Sequence, residues 1–553
     1  MARFRVGSQD VATIARDVGA LLAMQAVMMA ITAVIAVAFR EFYVALGFVL
    51  AAGFTGGIGG FLRWELADAR PPKMKHGMII AAAGWFTTAF FGALPFFFSA
   101  HLVPAELYAS FVPAGATWDA ASVLGVSSQS SLVYFRNPLH AMFESMSGWT
   151  GSGLTMASHE PSLPRAIQWW RSFIQYVGGV GVIVLTVSIL ARPGSGSYAL
   201  YRSEAREEKI HPSIISTVRT VWRILLIYTF VSIVLLFGAI RMSDYGSQLP
   251  LWEAGWQAVN HAMTGLTTGG FSVTDNSIGT YNSPLIEFVL LPIMTAGAIA
   301  FPIHYVLLYD RDYSQLWDDV QTRWLFLLLG GGIVVLSLQN LTVMTDAFQA
   351  DWVGVPVLAL APTEVDAIRD STFQFVSALS CTGFQSAPIG DWGPGAKVIL
   401  SGTMTLGGAA GSTVGGIKII RGYLISRGIQ WEFSRVFLPA SAVVTATIGD
   451  KRLNRDQMTQ EFSEAAIVSM LWLLILLTST VVLVNLVGPS YDYTDVLFEV
   501  ASAQGNVGLS SGITGPTMPP LAETMFLFNM WIGRLEIIPV LVFARSLIYG
   551  LRP

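Results

Sequence analysis

The sequence predicts an all-α integral membrane protein in which four span, pore-helix, span repeats surround one central pore with pseudo-fourfold symmetry, preceded by two extra N-terminal transmembrane helices. Three observations carry that expectation. The 553 residues are 53% apolar and only 12% charged, with a mean hydropathy of +0.57, too oily for a soluble domain. Apolar runs near 18–39, 42–62, 77–98, 166–190, 221–240, 284–309, 324–345, 464–487 and 521–548 each approach the roughly 20 residues that cross ~30 Å of hydrocarbon. With an interrupted run at 394–426 they make about ten spans. Finally, one short glycine motif returns four times at a period of roughly 115 to 125 residues.

The first two runs carry no such motif and form the addition, residues 1–69. The repeats then follow as 70–192, 193–312, 313–430 and 431–553, the third containing the interrupted span. Lys and Arg cluster at Arg63/Arg70/Lys73/Lys75, Arg192/Arg202/Arg206/Lys209 and Arg421/Arg427/Arg435/Lys451/Arg452/Arg455, which the positive-inside rule places in the cytoplasm. Both termini are then cytoplasmic, in a multi-pass protein embedded in membrane lipid. The net charge of −4 and the lack of a basic block give no sign of a nucleic-acid partner. One cysteine, Cys381, excludes an internal disulfide and a thiolate metal cluster, and the first apolar run reads as an anchor rather than a cleaved leader.

Between spans lie segments too short and too polar to cross, about 137–155, 255–272, 370–386 and 495–511. They end in Gly151-Ser152-Gly153, Thr268-Gly269-Gly270, Cys381-Thr382-Gly383 and Asn506-Val507-Gly508. Six residues before each final glycine stands a hydroxyl, Ser147, Thr264, Ser377 or Ser502. Three segments also share Phe143-Glu144, Phe373-Gln374 and Phe498-Glu499, where the second has Asn260-His261. Such segments read as re-entrant helices, because irregular backbone at membrane depth is tolerated only where it is buried or lines a watery cavity. A single glycine is more often a packing residue, but four in register give one ring of backbone carbonyls able to replace the hydration shell of a cation. The negative ends of the four helix dipoles would point at the same place.

These residues resemble the potassium transporter superfamily that contains the Trk, Ktr and plant HKT proteins. The resemblance rests on Glu144-Ser145-Met146-Ser147-Gly148-Trp149-Thr150 with the loop after it, Thr267 to Ser272, Gly407 to Lys418, and Gly533-Arg534-Leu535-Glu536, and covers about residue 70 to the end. The two additional spans are similar to the TrkH branch, whereas Asn506 to Thr514 looks more KtrB-like. Glycine in all four filter positions implies conduction of K+, with Rb+ as surrogate and Na+ a poorer substrate. No covalently bound cofactor is implied, only the transported K+. The resemblance also implies a homodimer in the cytoplasmic (inner) membrane, gated by a cytosolic nucleotide-binding ring resembling TrkA.

The run containing Gly407, Gly408, Gly411, Ser412, Thr413, Gly415 and Gly416 is too glycine-rich for a straight helix, since each glycine costs about 1 kcal/mol relative to alanine. It lacks the Gly-Lys-Ser/Thr ending of a phosphate-binding loop. It reads as a packing kink or, by resemblance, as a gating loop below the filter. Arg534, an intramembrane charge, is expected to hold that loop's carbonyls or to pair with Glu536. Glu144 and Glu499 are expected to cap helix N-termini, Lys418 and Arg421 to mark the cytoplasmic end of a span, His304 to be structural, and the Cys381 thiol to pack behind its loop. Symport with Na+ or H+ and a non-conducting receptor or assembly subunit are the competing readings; no nucleophile and base constellation suggests an enzyme.

Overall fold

The structure, a computed structural model, describes residues 9–190, 214–345, 348, 360–437, 446–448, 451–453, 455–535 and 537–551. Helices dominate, and the only strands among the described residues are two short hairpins. Six helices are long and apolar enough to cross a membrane, or eight if each of two bent pairs is one span. The all-α membrane architecture expected from composition is therefore present. Of the other expected spans, 166–190 falls within the helix Arg165–Leu190, and 394–426 is two helices, Pro394–Thr405 and Ile419–Val436, joined by a loop.

The two N-terminal helices, Gln9–Ala38 and Phe42–Glu65, form a hairpin whose backbones nearly touch. A Cβ on Gly59 would lie 2.7 Å from the Gly19 carbonyl oxygen, and one on Gly19 would lie 2.9 Å from the Gly59 carbonyl oxygen. Small residues are what let helices without a hydrophobic driving force approach this closely. The opposite faces expose Val27, Val34, Phe54 and Phe61, as a lipid-facing surface requires.

Two expected spans need correction. The run 284–309 is not straight: Pro284–Ala298 and Phe301–Asp310 meet at 112°, and Pro520–Arg534 and Ile538–Tyr549 at 115°. Pro302 and Pro539 supply the reason, because neither can donate the backbone hydrogen bond that would continue the preceding helix. At the second break Ile537 is held at φ 69°, a left-handed conformation that a β-branched residue rarely takes. Arg534 consequently ends a helix rather than lying midway along one.

Four short helices, Pro138–Thr150, Leu251–Leu266, Pro362–Leu379 and Tyr493–Gly505, are the pore helices expected from the sequence. Each is buried along its C-terminal half. Proline begins the first and third at the first helical turn, where its missing N–H has no partner to lose. Asn137 and Asp492 cap the first and fourth by accepting from Leu139 N at 3.0 Å and Thr494 N at 2.7 Å.

Candidate functional site

All four pore helices end in the same backbone device. Ser152, Gly269, Thr382 and Val507 donate their N–H to the carbonyls of Ser147, Thr264, Ser377 and Ser502 at 2.9, 2.8, 2.9 and 2.9 Å. The preceding residues Gly151, Thr268, Cys381 and Asn506 donate three residues back, to Gly148, Gly265, Ala378 and Ala503 at 3.1 to 3.3 Å. This paired arrangement is the Schellman cap, which places the first residue of each loop in the left-handed region. Their φ values are 72°, 52°, 49° and 54°. Only one of the four is glycine, so threonine and cysteine carry strain of roughly 1–3 kcal/mol each that the surroundings must hold.

The hydroxyls that repeat six residues before the filter glycines now have a purpose. Thr264 and Ser377 donate to the Phe271 and Phe384 carbonyls at 2.9 and 2.8 Å, and Ser502 Oγ accepts from Gly508 N at 3.0 Å. Ser147 departs, its buried hydroxyl having no hydrogen-bond partner among the described residues.

The filter glycines close on one another as a ring. Gly153, Gly270, Gly383 and Gly508 all have positive φ, 83°, 75°, 78° and 102°. A Cβ on Gly153 would strike the Gly269 carbonyl oxygen, one on Gly270 that of Thr382, one on Gly383 that of Val507, and one on Gly508 that of Ser152, each inside 3.0 Å. The order runs from the first loop to the second, third, fourth and back to the first. Glycine is thus required twice over, by conformation and by space. The same four glycines line a cavity of about 150 Å³ with Thr155, Glu160, Arg171, Asp275 and Ser510.

Glu144 and Glu499 do not cap helix N-termini, because they sit beyond the first turn and face the chain leaving the filter. Glu144 accepts from Thr155 Oγ1 at 2.9 Å, Met156 N at 2.8 Å and Arg171 Nε at 2.6 Å. Glu499 accepts from Ser510 Oγ at 2.8 Å, Ser511 N at 2.7 Å and Thr514 N at 3.0 Å. The second and third units do the same with other chemistry. His261 Nε2 pairs with Ser272 Oγ at 2.9 Å, and Gln374 Nε2 donates to Ser386 Oγ at 3.0 Å. The apparent exception at Asn260-His261 therefore keeps the brace. Arg171, which the sequence reading passed over, joins the first brace to the second loop by donating to the Ser272 carbonyl at 2.8 Å and lying 4.2 Å over the Phe271 ring.

Below the ring sits the glycine-rich segment between Thr405 and Ile419. Gly407, Gly408, Gly415 and Gly416 are buried, as are Ser412 and Thr413, while Gly411 is half-buried. Gly411 and Gly416 have φ 79° and 68°, incompatible with a continuous helix. Side chains from three elements hold the segment. Arg534 Nη1 donates to the Thr413 carbonyl at 2.5 Å, Gln321 Oε1 accepts from Ala410 N at 2.7 Å, and Thr413 Oγ1 meets Thr268 Oγ1 at 2.8 Å. The freed carbonyls of the bent helix Pro284–Ala298 are taken up here too: Thr413 Oγ1 donates to Gly297 O at 3.0 Å and Ala409 N to Ala298 O at 3.1 Å. His304 completes that end structurally, donating from Nε2 to Ala296 O at 2.8 Å.

The first residues of the loops all lie toward this segment. Thr268 bonds Thr413, the Cys381 thiol lies against the Gly415 backbone, and the Cβ of Asn506 is 3.1 Å from where a Cβ on Gly415 would be. Gly151 faces Arg534, whose Nη1 would be 3.8 Å from a Cβ there. Cys381 thus packs against the glycine-rich segment itself. Arg534 Nη2 also donates to the Gly178 and Gly179 carbonyls at 3.1 Å each, partners absent from the sequence reading; Glu536 lies outside the described residues. Lys418 and Arg421 are buried rather than solvated at a span end, and Lys418 Nζ donates to the Val414 carbonyl.

Comparison with known proteins agrees with this geometry. The TrkH family profile, described as a cation transport protein, matches residues 76–548. An uncharacterized cation transporter of Methanocaldococcus jannaschii is 30% identical over 546 residues, covering 99% of this chain and 98% of that protein. The Trk system potassium uptake protein TrkH of Escherichia coli K12 is 27% identical, covering 96% of this chain and 97% of its own. The crystal structure of the potassium transporter TrkH from Vibrio parahaemolyticus superposes with a TM-score of 0.75 at 23% identity, covering 98% and 99% of the two chains. A chain of four closed glycine loops matched along most of its length in this way belongs to the TrkH family of cation transport proteins, a non-enzymatic transport family.

Proposed function

We propose that this protein takes up K+ across the cytoplasmic membrane by a channel-like route, through a filter made of backbone carbonyls at Gly151 to Gly153, Thr268 to Gly270, Cys381 to Gly383 and Asn506 to Gly508. The observation that carries the reading is the cyclic contact of Gly153, Gly270, Gly383 and Gly508, each against a carbonyl of the next loop. A ring of uncharged oxygens suits a monovalent cation that must shed its water without meeting a full charge. The named potassium uptake function of the Escherichia coli relative supports the same ion.

The segment Gly407 to Gly416 acts as the gate. It lies directly beneath the ring, and polar contacts that can be broken hold it in place. Arg534 serves as its latch and as a positive charge beneath the filter. The four units are repeats of one span, pore-helix, span element, with both termini cytoplasmic and the residue 1–69 hairpin outside the repeat. A homodimer with a cytosolic TrkA-like nucleotide-binding ring would supply the signal that releases the latch.

Tracer flux in proteoliposomes tests this reading. The purified chain should carry Rb+ in competition with K+, faster than Na+, at a rate set by the membrane potential. Equal Rb+ and Na+ flux, or silence in the presence of its regulator, would sink it. An absolute need for an inward Na+ or H+ gradient would instead establish symport.

A further inference from the structure

The cavity above the glycine ring holds an acidic group that the filter reading leaves unused. Glu160 begins a short turn, Glu160–Ser162, between the first loop and the helix Arg165–Leu190. It is 8% exposed and lines the same cavity of about 150 Å³ as the four filter glycines. Its Oε2 is buried and has no hydrogen-bond partner among the described residues, and its Oε1 lies 3.9 Å from Arg171 Nη2. Buried carboxyl oxygens are normally satisfied, so one left open toward a polar cavity indicates an absent ligand. At about 30 Å³ per water, the cavity holds roughly five waters, enough for a partly hydrated cation.

The charges around Glu160 are otherwise committed. Arg171 is spent on Glu144 at 2.6 Å, and Asp275 pairs with His159 at 2.9 Å. Arg165 pairs with Glu253 at 2.8 Å, and Arg136 on the neighbouring turn donates to the Ala100 carbonyl at 3.1 Å. Burial pushes the Glu160 carboxyl up to about 8, with Arg171 pulling it down and Asp275 and Glu144 adding to the rise. The group is therefore neutral in acid and charged in alkali.

We infer that Glu160 is the carboxylate of an alkali-cation site in this mouth cavity, filled before an ion enters the glycine ring and switched off when the carboxyl is protonated. The inference rests on the transport reading above. A bound cation would favour the charged form, so proton and K+ compete for one place. Higher external pH should therefore raise apparent affinity.

The test is Rb+ uptake by the full chain in proteoliposomes at external pH of about 6.5 and about 9, with the lumen buffered. The wild-type KM should fall on the order of tenfold between the two, as a carboxyl centred near 8 moves from mostly protonated to mostly charged. E160Q should give one KM at both pH values, close to the wild-type acid value, and E160D should keep the sign of the change. A wild-type KM that ignores pH, or an E160Q protein that follows the wild-type profile, overturns the inference. So does H159Q abolishing the dependence while E160Q preserves it. If E160Q does not assemble, D275N decides: the midpoint should move to lower pH, and an unmoved midpoint overturns the site. Wild-type Rb+ flux with a pH-insensitive KM would sink this site alone, whereas absence of Rb+ flux would sink the transport reading and the site with it.

Discussion

Three of the four helices that follow a filter loop press a glycine onto the last turn of their pore helix, and the third does not. A Cβ on Gly178 would strike the Trp149 carbonyl oxygen, one on Gly297 that of Leu266, and one on Gly533 that of Gln504, each carbonyl four residues before a filter glycine. In the third unit the corresponding stretch is the broken segment, where Gly407 instead meets Gly415 and Gly408 meets Ala298. The three regular units are braced backbone to backbone, with no side chain that could let go. The third is fixed by Arg534, Gln321 and Thr268, whose hydrogen bonds can be exchanged for others at modest cost. Rigidity and mobility are thus distributed by unit: what all four share holds the ring, and what only the third has can move.

The largest expected effect comes from breaking the shared part. Gly383→Ser places a side chain at φ 78° against the Val507 carbonyl, combining a left-handed penalty of about 1–2 kcal/mol with overpacking of about 1–3 kcal/mol. The adjoining carbonyls must shift, and the Rb+/Na+ flux ratio should fall by at least about tenfold, since 1.4 kcal/mol between the two ions is already that much. An unchanged ratio in a folded variant would remove the ring from the selectivity mechanism.

Breaking the third unit should act on flux and not on choice of ion. Arg534→Ala deletes charged hydrogen bonds to Thr413, Gly178 and Gly179, and the loss of only one, at about 1.5 kcal/mol, shifts a closed-to-open balance by about tenfold. Partner-independent Rb+ flux should rise by that order while the Rb+/Na+ ratio stays at the parent value. A rise in flux accompanied by lost selectivity would show that Arg534 supports the filter rather than the segment beneath it.

How much of this was legible in the sequence follows the range of the interactions. The four loops and their hydroxyls could be read because each Schellman cap and its partners lie within seven residues, as with Ser377 and Phe384. The broken segment could be read from glycine alone. The braces could not be assigned correctly, because Glu144 and Glu499 reach eleven or more residues onward, and nothing local distinguishes that from helix capping. His261 looked like a departure only because residue type was compared instead of hydrogen-bonding capacity. Arg534 to Gly178, 356 positions apart, lies beyond any pattern in the chain. Pro302 and Pro539, by contrast, were plain break signals inside the apolar runs that became the bent spans.

The smallest expected effect tests whether the four loops are equivalent in energy as well as in shape. Ser377 donates to the Phe384 carbonyl at 2.8 Å, so Ser377→Ala leaves a buried oxygen short of a donor and should cost about 1–3 kcal/mol. Ser147 occupies the same place in the first loop, yet its hydroxyl is buried without a partner, and deleting an unsatisfied polar group is neutral or mildly stabilising. In thermal unfolding of the purified protein in detergent, Ser377→Ala should therefore lower the midpoint while Ser147→Ala leaves it within error or raises it. Equal losses would mean that Ser147 finds the Leu154 carbonyl as Ser377 finds that of Phe384, and that the first loop is held like the rest. Unequal losses would make the first loop the least anchored part of the ring, held instead from outside by Glu144 and Arg171.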